Sequence, residues 1–269
     1  MNAPGDIPYL TDRNVAGRLR RFKKPASRVD GDLPKQIVTQ AASSLSVPLA
    51  LIYNQSFSNR SWPAVWKTET VVPMPKVPTP SDLNDVRPIS MTTLWSKVME
   101  SYVAAQTISV TGNNWKKTQH GGRKGSSTDH VLIELWDKIL SDLDTSPDRA
   151  QAVVVCGVDF SKSFSRCSHQ QILLAYEKLG ADQWLLDMHA AFLTDRQMSV
   201  KVGNKKSCLH AVTGGAVQGS ILGVLDHNAV MEFIDDDFEN MSLKYVDDMT
   251  TVESLPRQDL PIATEDGTK

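Results

Sequence analysis

Two adjacent acids, Asp247 and Asp248, sit between the short apolar runs Leu243–Val246 and Met249–Val252. Apolar runs joined by a polar pair read as a hairpin, and a turn tolerates aspartate. Taken alone, such a pair is ordinarily a solvated turn. Side-by-side carboxylates repel, however, unless a cation lies between them. A third acid, Asp159, ends the continuous apolar run Ala152–Val158, which reads as a buried strand. An acid at the end of a buried strand is costly unless it is paired or metal-bound. One strand end and one hairpin turn can bring Asp159 against Asp247 and Asp248. That makes a hard oxygen site suited to Mg²⁺. Two such ions, about 3.5–4 Å apart, can clamp the attacking and leaving oxygens of a phosphoryl transfer.

The rest of the pattern mixes helices and strands. The first 30 residues are polar, punctuated by Pro and Gly, and read as an arm. From Pro34 to about Phe57 the apolar spacing is helical, with Pro48 expected to break it into two helices. Lys67–Pro75 reads as a strand, and Lys76–Pro88, rich in proline, as an extended loop. Thr93–Ser109 and Thr128–Leu143 read as amphipathic helices. The second carries Leu132, Trp136, Leu140 and Leu143 beside a stripe of Val131, Leu135 and Ile139. Two helices are expected near His169–Lys178 and Asp182–Leu193, then a hairpin about the turn Gly203–Lys206, then a helix over Gln218–Phe233. Hairpins mixed with helices argue α+β rather than a doubly wound sheet.

Charge bears on partners. Lys and Arg total 29 against 31 Asp and Glu, a net charge of −2, which is not the basic surplus usual in nucleic-acid binders. The cations are clustered, though. Arg18, Arg20, Arg21, Lys23, Lys24 and Arg28 form one run, and Lys116, Lys117, Arg123 and Lys124 another. Each run reads equally as a solvated face. No apolar stretch reaches 18 residues and no signal-peptide pattern opens the chain, so the expectation is an intracellular protein of nucleus or cytoplasm, with no membrane partner. Cys156, Cys167 and Cys208 show no paired spacing and read as incidental thiols.

Set in order, the motifs resemble those of reverse transcriptases of the non-LTR, LINE-like retrotransposon kind. Asp159-Phe-Ser-Lys-Ser-Phe164 resembles the family's motif A, Gly214-Gly-Ala-Val-Gln-Gly-Ser-Ile-Leu-Gly223 its motif B, and Tyr245-Val-Asp-Asp248 its motif C. Upstream, Trp66-Lys, Val72-Pro-Met-Pro-Lys76, Val86-Arg-Pro-Ile-Ser90 and Gln119-His-Gly-Gly-Arg-Lys-Gly-Ser-Ser-Thr128 are similar to further family segments. The resemblance covers roughly residues 30–253. Two positions depart from it. Ser165 replaces a second motif A aspartate that is not a metal ligand, and Val217 replaces the motif B proline, loosening the turn before Gln218.

The resemblance implies an RNA-directed DNA polymerase using two Mg²⁺ ions, or Mn²⁺ instead, with RNA template, DNA primer and dNTPs as partners. Asp159, Asp247 and Asp248 would be catalytic metal ligands, joined by the backbone carbonyl of Phe160. Lys76 and Arg87 would meet the triphosphate, Arg87 more readily, because a long proline loop separates Lys76 from it. Gln218 and Gly219 would lie beneath the nucleotide. Phe164 would stack below the sugar and exclude a 2′-hydroxyl. Tyr245 would back the primer terminus, and Arg123 and Lys124 would touch primer or template.

The implied shape is a right-handed polymerase. It comprises a polar basic arm (1–30), fingers-like helices (31–144), a palm with motifs A, B and C (145–253) and a disordered tail (254–269). A thumb is expected to be missing, since only Met249–Lys269 follows Asp248. Two alternatives stay open on sequence alone. One is a catalytically inert nucleic-acid-binding relic. The other is a viral RNA-directed RNA polymerase, against which Phe164 and Tyr245-Val-Asp-Asp248 speak.

Overall fold

The protein is described here from a computed structural model, covering residues 7–22, 29, 32–144 and 151–256. In chain order the helices are α1 (Asp12–Arg21), α2 (Lys35–Gln40), α3 (Ala42–Ser58), α4 (Leu94–Thr111), α5 (Thr128–Leu143), α6 (Ser163–Arg166), α7 (His169–Lys178), α8 (Gln183–Leu193) and α9 (Ile221–Met231). The strands are β1 (Thr68–Pro75), β2 (Val86–Met91), β3 (Gln151–Asp159), β4 (Arg196–Val202), β5 (Lys205–Lys206), β6 (His210–Val212), β7 (Met241–Tyr245) and β8 (Asp248–Pro256). The mixture is α+β, as expected. The chain divides into two compact units, Met1–Trp115 with Lys162–Val230, and Lys116–Ser161 with Met231–Lys269.

The first unit is built on a five-stranded sheet. β1 pairs antiparallel with β2 and parallel with β4, and β4 pairs antiparallel with both β5 and β6. Its helical part begins earlier than the sequence suggests. Where a polar arm was expected over the first 30 residues, α1 forms, capped by Thr11, whose hydroxyl accepts from Asn14 N at 3.2 Å. Val15, Ala16 and Leu19 bury one face of α1, which packs on α3. The Asn54 side chain ties down the approach to it, bonding Leu10 N and Leu10 O at 2.8 Å each. Of the first basic run, the Arg18 guanidinium lies 4.5 Å over the Tyr102 ring, while Lys23, Lys24 and Arg28 fall outside the described residues.

Pro48 does not break the helix. The interruption falls at Ala41, and α3 continues through Pro48 to Ser58. Proline removes one backbone bond and crowds the preceding turn. Here the burial of Leu49, Ala50, Tyr53 and Phe57 outweighs that local cost. A second difference concerns the proline-rich segment. Val86–Pro88 are not loop but the start of β2, in register with Pro75, Met74 and Pro73.

The second unit is a three-stranded antiparallel sheet in the order β3-β8-β7, with α5 against it. β3 was expected to be buried, but it is an edge strand, and Val154 and Val155 are 39% and 45% exposed. A continuous apolar run marks a strand without fixing how many of its sides are covered. The same holds for α5: none of its residues is buried, and Leu132, Trp136, Leu140 and Leu143 lie exposed. Coverage falls instead on β7 and the central strand, where Ser242, Leu243, Lys244, Met249 and Val252 are buried. β8 also runs through 254–256, the start of the expected tail. The remainder of that tail lies outside the described residues.

Candidate active site

The acids belong to the second unit. β7 and β8 are joined by the two-residue turn Val246–Asp247, so Asp248 is the first residue of β8 rather than a turn residue, opposite Tyr245. On its other side β8 pairs with β3, and the register sets Asp159 directly opposite Asp248. Directly opposed residues on antiparallel strands have Cβ atoms about 4.5–5.5 Å apart. Two acids are thus neighbours across the ladder, and Asp247 adjoins one of them in the chain. Asp159 and Asp248 are exposed and Asp247 half-buried. The burial cost invoked for Asp159 from sequence therefore does not operate; like-charge repulsion across the ladder does. Among the described residues, none gives a hydrogen bond or ion pair to these three side chains.

All the donors at this edge are carboxylate oxygens, the chemistry a hard divalent ion prefers. Among the described residues, no three His, Cys, Asp or Glu side chains are gathered into a closed group able to hold a metal ion. The acids form an open edge, not a finished cage. Phe160 follows Asp159 and is half-buried, as is Tyr245.

Residues that sequence reasoning missed hold the hairpin in place. Lys244, next to Tyr245, has a fully buried side chain. Its ammonium donates to Asp235 Oδ1 at 2.6 Å and to the carbonyls of Met231 and Glu232 at 3.1 and 3.2 Å. Lys116 reaches the same Asp235 oxygen at 2.8 Å and Asp236 at 2.6 Å, and the Ser242 hydroxyl donates to the other Asp235 oxygen. Burial pushes the Asp235 carboxyl upward, but hydrogen bonds from Lys116, Lys244 and Ser242 outweigh it and hold the group at about 2. Burial draws the Lys244 ammonium below its usual value, against the pull of Asp235. One signal was available: a lysine inside the apolar run Leu243–Val246 needs a partner once that strand is buried.

The second basic run is partly engaged within the protein. Lys116 is in the ion pairs above, and the Arg123 guanidinium donates to the carbonyls of Lys116 at 2.6 Å and Gln119 at 3.3 Å. Lys124 is exposed.

The first unit brings two other motifs together. Ser90 N donates to Gln218 O at 2.7 Å, joining the segment after Arg87 to the motif B turn. Gly219 has φ +118, and a Cβ there would sit 2.5 Å from Ser90 O, so only glycine fits. Gly223 is equally constrained, since its Cβ would lie 2.0 Å from Val217 O. Val217, in place of the family proline, is buried. The start of α9 is closed by Glu100, whose Oε2 accepts from Ile221 N at 2.7 Å and Leu222 N at 3.3 Å. Its burial pushes this carboxyl up, opposed by those donors and by Ser96.

Lys76 and Arg87 are both exposed, and the β1–β2 hairpin sets them close together. Pro75 pairs with Val86, Met74 with Arg87, and Lys76 N donates to Asp85 O at 2.7 Å. The proline loop therefore returns on itself and does not separate Lys76 from Arg87. The Phe164 ring is half-buried and stacks on His227, centroids 4.1 Å apart and 10° from parallel, while Phe164 O accepts from Ala216 N at 2.7 Å. Motif A's end is thus tied to motif B within this unit. Among the described residues no helix is long and apolar enough to cross a membrane.

Comparison with known proteins agrees with the motif order. The RNA-directed DNA polymerase from mobile element jockey of Drosophila melanogaster is 26% identical over 176 residues, 65% of this chain and 19% of that protein. The probable RNA-directed DNA polymerase from transposon X-element of the same organism is 23% identical over 178 residues, 66% of this chain and 19% of its own length. The chain therefore spans about a fifth of the length of these curated relatives. Residues 74–265 match the family model described as "Reverse transcriptase (RNA-dependent DNA polymerase)". That span holds every motif from Val86-Arg-Pro-Ile-Ser90 to Tyr245-Val-Asp-Asp248, and the chain belongs to the reverse transcriptase family, a nucleotidyltransferase by ancestry.

Proposed function

We propose that this chain is the polymerase core of an RNA-directed DNA polymerase that adds dNTPs to a primer 3′-hydroxyl, with residues 31–144 as fingers and 145–253 as palm. The observation that carries the reading is the register of β3 on β8, which sets Asp159 opposite Asp248 with Asp247 beside it. Three carboxylates at one sheet end, receiving no bond from a described residue, are the arrangement a cation would relieve. When bound there, Mg²⁺ would lower the pKa of the primer hydroxyl and neutralise charge on the leaving pyrophosphate.

The remaining roles fall to this chain's own groups. Asp159, Asp247 and Asp248 would hold the ions, with the Phe160 carbonyl as a further oxygen. Arg87 offers the triphosphate a planar fork and Lys76 a point charge. Gln218 and Gly219 would lie beneath the nucleotide, at a turn where position 219 has no room for a side chain. Phe164 would face the sugar and disfavour a 2′-hydroxyl; its stacking on His227 fixes the ring's orientation. Tyr245 would support the primer terminus, and Lys124, with whatever donors Arg123 retains, the nucleic-acid backbone.

Primer extension by this chain on a poly(rA) template with an oligo(dT) primer and Mg²⁺ tests the reading. Asp247→Asn should cut incorporation by at least about 10²-fold, since a metal site stabilises transition-state charge by several kcal/mol. Its circular dichroism should match the wild type. Extension that needs no divalent ion, or that survives the substitution, would sink the proposal.

A further inference from the structure

Val246, between Tyr245 and the acid pair, has φ +60. A β-branched residue in the left-handed region is a strained outlier, and it persists only where its surroundings over-determine it. Without an external hold, the turn would relax and Asp247 would be re-aimed.

The hold comes from the segment around Gln119. Lys244 N donates to Thr118 O and His120 N to Lys244 O, each at 2.8 Å, so this segment runs beside β7 in parallel, as a one-residue extension of the sheet. Gln119 is fully buried. Its side-chain Oε1 accepts from Gly121 N at 2.9 Å and from Val246 N at 3.3 Å. The amide thus bridges its own loop and the strained residue. Gly121 permits the approach: a Cβ there would fall 2.2 Å from Val246 N and 2.6 Å from Val246 Cγ2. No rearrangement short of moving the turn would admit it.

We infer that Gln119 is a positioning residue for the acid pair: its Oε1, brought in by Gly121, holds Val246 in the left-handed conformation that presents Asp247 and Asp248. It touches no reacting atom and acts only through the turn. The catalytic consequence rests on the polymerase reading above, whereas the structural hold does not, and the test separates the two.

Gln119→Met keeps length and loses the acceptor; Gln119→Glu keeps an acceptor oxygen. Amide hydrogen exchange at Val246 and dNTP kinetics are measured on the full chain for both variants and the wild type. The wild type should protect the Val246 amide. Gln119→Met should speed its exchange about tenfold or more and lower kcat about as much, with KM for dNTP unchanged. Gln119→Glu, whose side-chain oxygen still reaches Val246 N, should keep the Val246 amide more protected than Gln119→Met does, whatever its buried carboxyl does to kcat. A simple loss of packing would instead strike both variants alike and leave Val246 exchanging with its neighbours. An unprotected Val246 amide in the wild type, unaltered exchange in Gln119→Met, or loss of Val246 protection in Gln119→Glu equal to that in Gln119→Met overturns the hold, and the first of these needs no variant to fold. A wild-type chain that extends no primer overturns the polymerase reading alone, and the exchange comparison still decides the role of Gln119.

Discussion

The two units differ in how they treat their acids. In the first unit the three buried ones among the described residues are answered. Glu69 accepts from Arg196 at 2.9 Å inside the five-stranded sheet, Glu100 takes the amides that open α9, and Asp226 receives Tyr176 at 3.1 Å with His189 at 2.8 Å. In the second unit Asp235 follows that rule, but Asp159 and Asp248 do not: they face each other across a ladder, exposed, with only another acid opposite. A fold closes the charges that hold it together. Charges left facing a like charge, at the end of a well-held strand pair, are the ones that the proposed function gives to a cation from outside the chain.

The largest effect belongs to the answered charges. The Arg196 side chain is fully buried, and its guanidinium reaches Glu69 and the Phe192 carbonyl. Arg196→Met leaves the buried Glu69 carboxylate without its cation, which typically costs about 3–5 kcal/mol. Urea titration should show that loss. A change below about 1 kcal/mol would mean that the pair is not buried in solution, and the contrast would fail at its closed end.

A smaller effect should appear in acid. Asp235 is held at about 2, below the value near 3.9 of an unfolded chain. A depressed carboxyl stabilises the fold above the unfolded value, and the contribution disappears as pH falls from about 4 through about 2. It amounts to roughly 2 kcal/mol. Asp235→Asn should lower stability at neutral pH and flatten the acid limb of the curve. An acid limb identical to wild type would remove Asp235 from the account of β7.

Element types were largely legible in the sequence because they follow from periodicity. The span of α5, the β1 strand, the α7–α8 pair and the β7–β8 hairpin all emerge where spacing puts them. Coverage was not legible. The run Ala152–Val158 reads the same whether one side or both are packed, so β3 passed for a core strand, and the apolar stripe that marked α5 as a helix did not show that its face stays uncovered. The site divided along the same line. Motif spacing singled out Asp159, Asp247, Asp248 and Gln218, and put Gln119 at the head of a segment, but it did not reveal the contacts of Lys244, Asp235, Glu100 and Gln119, which join residues up to 127 apart, as Gln119 and Val246. Pairing register was equally hidden, and it is what returns Lys76 to the side of Arg87.

The smallest effect tests the open end of the contrast, and its sign carries the information. Like charges directly opposite on paired strands destabilise by roughly 0.2–1 kcal/mol. Asp248→Asn removes one of the two charges while keeping nearly the same shape, so in the absence of divalent ions it should stabilise the fold by a few tenths of a kcal/mol. Few substitutions at a structural acid do that; the same change at Asp235 should go the other way. Mg²⁺ then supplies the second half of the measurement. A ligand that binds only the folded state raises stability with its concentration, so Mg²⁺ should raise the wild-type melting temperature and leave Asp248→Asn nearly unmoved. The two melting curves should therefore cross as Mg²⁺ is added, the variant being the more stable without the ion and the wild type with it. If Asp248→Asn is destabilising from the start, Asp248 already has a partner in the fold, and the acids at the end of β3 and β8 belong with the closed charges of the first unit.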